Sequence, residues 1–330
     1  MRSQQNFNAI SAAFIVSASI NIVYTLIVSY NEPQGFCGPE GVLLIQSPLL
    51  MLMPLNYLFM LTGVTGLLSP YVRGLMKRGF SRLDLKRLFL GMVAAGGSVY
   101  SGGNKYCIRF YGKDLVLHTI FADLAYVIYN IRPGTTGARG SYVTQLYCKE
   151  AVRELREFSP EFETRCGGEP SLSFVLEGAS DVKIEASRVL MSTSGWISCS
   201  FVNTTCGLRA YPRLGVGAAL PSNMLSDYSK LMSDVGLKFN IYQDKRYGCK
   251  GYLATPDLIT IRGFFDLGGF LEGTKVKRGE FAGMEKNCLL ASLIQAASLR
   301  FSSRGEAIKK IRELGYDDEL KVYLNRLMLG

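Results

Sequence analysis

The chain of 330 residues is short of histidine and of charge. It has one histidine, His118, and 19% charged residues, against about 25% in an ordinary soluble domain. A Ser-His-Asp triad or a histidine-rich metal site would have to be built on that single imidazole. His118 lies in DLVLHTIFADLAYVIYN, where apolar residues recur at helical spacing, so packing on a helix is its expected role. Eight cysteines are present, at positions 37, 107, 148, 166, 199, 206, 249 and 288, and no two form a CxxC pair. That excludes a zinc ribbon. Their scatter reads as buried thiols in a reducing compartment. With 48% hydrophobic residues the chain is not disordered. Its length suits two domains, or one duplicated domain with extensions.

The charge is also unevenly placed. The net charge is +10, yet residues 1–80 hold only Arg2, Glu32, Glu40, Arg73, Lys77 and Arg78. Residues 3–31 and 41–72 carry no charge at all, and each run is long enough to cross a bilayer. A basic cluster from Arg73 to Arg87 follows the second run, and the loop between the runs is acidic. The positive-inside rule then draws a hairpin through residues 9–72, with both chain ends and the body in the cytoplasm. Pro48, Pro54, Asn56 and Asn21 interrupt the runs, so a buried core and a leader stay open beside the membrane.

From residue 83 a pattern recurs. A helix ending in small residues (85–97) is followed by strands 98–101 and 105–112 around a Gly-Gly-Asn turn. A helix at 114–130, a second strand pair whose clear member is 141–148, and a charged helix at 149–159 come next. After a Gly- and Pro-containing link the order returns: a helix at 186–195, strands 196–202 and 208–214, a helix to Gly236, strands 237–243 and 248–255, and a short helix after Pro256. The expected fold class is α+β, a pseudo-two-fold duplicated αββαββα unit. The expected segments are an apolar extension at 1–80, a first half at 81–165, a second half at 166–270 and a basic helical tail at 271–330.

This order resembles the LAGLIDADG homing endonucleases, of the archaeal, single-chain, two-half type. The resemblance covers residues 83–285 and is carried by FLGMVAAGG (89–97), by SRVLMSTSG (187–195), and by residues 261–290, which look like the close of a second half. The closing glycines, Gly97 and Gly195, lie 98 residues apart. The resemblance implies that the two motif helices pack through small residues, with an acid at each helix end holding a divalent metal, magnesium by its oxygen ligands, over a scissile phosphate. Aligned on the closing glycines, those acidic positions are Gly96 and Ser194, and the motifs' other acidic positions are Ala94 and Ser192. Neither vestigial position offers a carboxylate, so metal-dependent cleavage is expected to be lost and no cofactor is expected, with magnesium only if activity persists.

What the resemblance leaves is binding of double-stranded DNA by a monomer through the strands of two curved sheets. Alternating polar and basic strand positions supply the candidate contacts: Lys105, Arg109, Tyr111, Arg139, Gln145 and Lys149 in the first half. The second half supplies Arg209, Arg213, Gln243, Lys245, Arg246 and Lys250. Basic and aromatic residues interleaved on strands suit phosphate anchoring with base-edge readout. Two other readings stay open: an active endonuclease with displaced acids, and a membrane-anchored protein with a non-DNA partner.

Overall fold

The computed structural model describes residues 68–102, 105–138, 140–159, 162, 171–243 and 250–316, with the backbone alone at 138, 218–223 and 250. The first apolar run and most of the second lie outside the described residues, as do Arg139, Lys245 and Arg246.

The described chain is α+β and duplicated. Helix α1 (Pro70–Lys77) is followed by α2 (Arg82–Gly96), β1 (Gly97–Gly102), β2 (Lys105–Gly112), α3 (Leu115–Tyr129), β3 (Gly134–Ala138), β4 (Ser141–Leu146) and α4 (Lys149–Phe158). The short α5 (Ser173–Leu176) leads into α6 (Ser180–Ser194), β5 (Gly195–Thr204), β6 (Gly207–Pro221), α7 (Ser222–Asp234), β7 (Asn240–Gln243), β8 (Lys250–Thr255) and α8 (Leu258–Asp266). Helices α9 (Lys286–Ala296) and α10 (Arg304–Gly315) close the described chain. The strands form two antiparallel four-stranded sheets with the same order, β1-β2-β4-β3 and β5-β6-β8-β7. One topology occurring twice in one chain is the duplication that the repeated pattern implies.

Local chemistry fixes the ends of the motif helices. Ser81 caps α2 by accepting from the Asp84 amide, and the Asp84 carboxylate accepts from the Ser81 amide, a reciprocal capping box. Gly97 and Gly195 then turn each helix straight into a strand, in extended conformation. The helices pack on the inner faces of the sheets. Phe110 of β2 stacks on Phe121 of α3 with ring centroids 5.0 Å apart, and Phe89 of α2 lies 4.8 Å from Phe121. Among the largest fully buried side chains are Tyr228, Phe264 and Phe270 of the second half.

Residues 68–80 pack with the body and not apart from it. Leu68, Val72, Leu75 and Phe80 join its core, and the Ser69 amide donates to buried Asp123 of α3 at 2.7 Å. The end of the second apolar run is therefore protein interior. No helix among the described residues is long and apolar enough to cross a membrane. Residues 271–316 are likewise more than a basic tail, because Leu271, Phe281, Leu289, Leu293, Phe301 and Ile311 are buried in the same core. Phe301 bridges to Leu208 at the start of β6, and the Lys275 amide donates to Asp114 of the first half at 3.2 Å.

Candidate nucleic-acid interface

Each sheet has a helix-covered face and an outer face. On the first sheet the register places Ser98, Tyr100, Cys107, Arg109, Tyr111 and Gln145 together: Arg109 lies opposite Ser98 on β1 and Gln145 on β4, and Tyr100 opposite Cys107. Lys105 shares this face two residues from Cys107. Ser98 donates to the Tyr111 hydroxyl at 3.3 Å, and Tyr147 donates to Gln145 Oε1 at 2.8 Å. The hydroxyl of Tyr111 and the thiol of Cys107 hold the exposed Arg109 guanidinium charged, raising its pKa. Tyr100, Tyr111 and Tyr147 are exposed. Lys149 does not join them. It begins α4, and its ammonium lies 5.5 Å from the ring of Tyr106, a neighbour of the inward-facing Ile108.

On the second sheet Arg209 lies opposite Val202 and Arg213 opposite Ser198, with exposed Tyr211 between them. Gln243 does not share their face. It pairs with Gly251, and its neighbour two residues back, Ile241, pairs with the fully buried Leu253. Gln243 therefore sits with the helix-facing set, on an edge strand. Lys250 opens β8 two residues before Tyr252. None of Lys105, Arg109, Arg209 and Arg213 enters an ion pair among the described residues. The eight strands together contain five basic residues and no aspartate or glutamate. Every described acid stands on a helix or a connection.

The ends of the motif helices meet closely. A Cβ at Gly96 would lie 2.7 Å from Thr193 Cγ2 of α6 and 3.2 Å from Phe110. The last turn of α6 satisfies itself: Ser192, Thr193 and Ser194 donate to the carbonyls of Arg188, Val189 and Leu190 at 2.7, 2.8 and 3.2 Å. Ser192 also accepts from the Leu271 amide at 2.7 Å. Beside this end sits a cation. Lys286 Nζ donates to the carbonyls of Ser192 and Gly195 at 3.1 and 2.9 Å, and lies 4.8 Å from the Phe270 ring. Burial pushes its pKa down to about 7, with Lys277 acting in the same direction and Asp114 against it. Carbonyls and ring face favour the protonated form.

These residues do not fit a magnesium ion. Gly96 has no side chain, Ser194 is a neutral donor, and the neighbouring polar group is the Lys286 amine and not a carboxylate. No group of three or more His, Cys, Asp or Glu among the described residues is placed to hold a metal ion. His118 is fully buried and bonds Thr144 through Nδ1 at 2.7 Å, as the packing reading expects. The cysteine reading holds in part. Cys107 and Cys148 are buried, Cys199 and Cys288 are partly so, and Cys206 is exposed on the β5–β6 turn. Burial pushes the Cys199 thiol up to about 12.

Comparison with solved structures returns homing endonucleases. Mesophilic variants of the homing endonuclease I-DmoI share 16% identity, covering 56% of this chain and 87% of that one, with a TM-score of 0.40. The meganuclease I-SmaMI bound to uncleaveable DNA shares 12% identity over 70% of this chain and 95% of that one, with a TM-score of 0.44. I-DmoI in complex with DNA and calcium shares 15% identity over 52% and 82%, with a TM-score of 0.37. No family model and no curated protein matches the chain.

Sequence reading did not find the aromatic members of the outer faces, Tyr100, Tyr147, Trp196, Tyr211, Tyr242 and Tyr252, nor the buried Lys286. Tyr211 had a signal in its period-two spacing with Arg209 and Arg213, Tyr252 with Lys250 and Tyr147 with Gln145; Tyr100, Trp196 and Tyr242 had no basic residue at that spacing and so no signal. Lys286 had none, because it follows Glu285 in a segment that reads as a solvated basic stretch.

Proposed function

We propose that this chain is a LAGLIDADG-like protein that binds double-stranded DNA across the outer faces of its two sheets and does not cleave it. One observation carries the reading: the eight strands hold five basic residues and no acid. A face that only needs solvation mixes charges of both signs. A face that meets a polyanion excludes acids, because each would repel phosphate. Arg109, Arg209, Arg213 and Lys105 anchor phosphates or read guanine edges, while Gln145 suits adenine. Both halves lie in one chain, so a monomer supplies two sheets for one duplex, and the body acts in the cytoplasm.

Loss of cleavage follows from Gly96 and Ser194. Two-metal hydrolysis needs anionic oxygen ligands at the attacking and leaving oxygens. A glycine and a self-satisfied serine supply none. The test is binding of the full chain to a fluorescent duplex over a salt series. The expected result is a linear fall of log affinity with log salt, and a supercoiled plasmid left intact with magnesium. No binding at low salt refutes the DNA reading. Magnesium-dependent nicking refutes the loss of cleavage and favours displaced acids.

A further inference from the structure

The outer face of the second sheet carries an aromatic row that a duplex-binding surface does not require. Trp196 lies opposite Gly215, and a Cβ on that glycine would stand 2.4 Å from the indole Cζ2. The ring thus rests on bare backbone, a close approach open only to glycine. It extends over β6 toward Tyr252 of β8, with ring centroids 6.5 Å apart. Tyr252 in turn lies directly opposite Tyr242 of β7, and those rings stack at 5.2 Å with 14° between planes. Three rings from β5, β8 and β7 therefore form one band across the sheet. Tyr211, 43% exposed, and Arg213 adjoin it on β6.

None of the three rings is fully buried, and none is fully exposed. Aromatic surface left partly in water on a sheet face is open to a further aromatic partner. Its chemistry selects an occupant. Aromatic rings beside the Arg213 guanidinium, in strands without acids, match planar bases on a phosphate backbone. Duplex bases present only their edges, their faces being hidden in the stack.

We infer that Trp196, Tyr252 and Tyr242 form a stacking platform for unpaired bases of a single-stranded nucleic acid, with Arg213 and Arg209 holding its phosphates. This rests on the basic strands that also carry duplex binding and shares Arg209 and Arg213 with it; the three rings are the contacts that it adds.

Trp196 is the only tryptophan in the chain, so its emission reports the platform directly. The full chain is titrated with an oligothymidylate of about 15 nucleotides, following tryptophan emission and the anisotropy of a labelled strand, with a labelled duplex in a parallel arm. The expected result is quenching of Trp196 emission that tracks single-strand binding. Tyr252→Ala and Tyr242→Ala should each weaken single-strand affinity roughly tenfold or more. Tyr252→Phe should keep it, and in both alanine variants single-strand affinity should fall further than duplex affinity. Tyr242 lies on an edge strand, so its variant serves if Tyr252→Ala fails to fold.

Binding of the strand without a change in Trp196 emission overturns the inference. So does single-strand affinity unchanged by both alanine variants, or no single-strand binding while the duplex binds. Loss of duplex binding with quenching retained would instead sink the duplex reading alone. An emission change that follows protein concentration without nucleic acid would assign the band to a second copy and also overturn the inference.

Discussion

Replacing Gly96 by alanine probes a close contact between α2 and α6. In an open helix the change would stabilise by up to about 1 kcal/mol, because glycine loses more backbone freedom on folding. Here the new methyl would lie 2.7 Å from Thr193 Cγ2 and 3.2 Å from Phe110. Thr193 cannot swing away cheaply, since its hydroxyl donates to the Val189 carbonyl at 2.8 Å and turning it forfeits that bond. Overpacking of this kind costs about 1–3 kcal/mol. The net expectation is a loss of about 1–2 kcal/mol, a fall in melting temperature of about 2–8 °C for a body of this size. Thr193→Ser removes the clashing methyl and keeps the hydroxyl. In that background Gly96→Ala should become neutral or stabilising, giving a coupling of about 1–2 kcal/mol in a double-mutant cycle read by thermal or urea unfolding. Equal effects in both backgrounds, or a gain in the parent, would refute the contact. Aspartate is larger than alanine, so Gly96→Asp should destabilise further. The space at Gly96 thus excludes a carboxylate on steric grounds alone.

Three further outcomes are expected. Glu185→Ala should cost about 3 kcal/mol in urea unfolding, because the buried carboxylate accepts from Arg78, Arg188 and Tyr71 at 2.7, 3.1 and 3.0 Å; a loss under about 1 kcal/mol would show that water already screens the cluster. Burial holds the His118 pKa below its usual value, so the fold prefers the neutral ring: stability is complete above about 6.5 and falls as pH drops below it toward the folded value. The decline in melting temperature between about pH 7 and 5 should be shallower in His118→Gln, and an identical slope would exclude the imidazole as its source. Arg109→Ala and Arg213→Ala should each weaken duplex binding and lower the salt slope by about 1; an unchanged slope would remove that residue from the phosphate contacts.

Much of the architecture was legible because hydrophobic period and turn chemistry agree. The strands 105–112 and 141–146 and the helix 115–129 fall within two residues of their sequence reading. Two elements ran longer than expected for physical reasons. Helix α6 begins at Ser180, since its polar opening SDVK resembles a loop until buried Val182 and Glu185 find partners. Strand β6 runs to Pro221 through a register shift after Val216, where Gly217 adopts a left-handed conformation, and its Gly-Ala stretch looks like a linker. The face of a residue was less legible than its element. Gln243 alternates correctly within its own strand, but which face it shares with Arg213 depends on register against β8. The Trp196 band depends on the order β5-β6-β8-β7, which brings together rings distant in sequence. Lys286 finds its carbonyls 91 and 94 residues earlier, beyond the reach of any local pattern.

The Glu185 cluster also sets a clock on synthesis. Arg78 and Glu185 are 107 residues apart in the chain, and a ribosome adding about 5–20 residues per second needs roughly 5–20 seconds to cover that distance. Helix α1 can meet α3 early, through Ser69 and Asp123, yet its second attachment does not exist until α6 has emerged. The nascent first half thus holds Tyr71 and Arg78 as open valences, and arrival of the second half closes them. A chain started at residue 81 would never make that closure, and would leave Glu185 with Arg188 as its one remaining partner in the cluster.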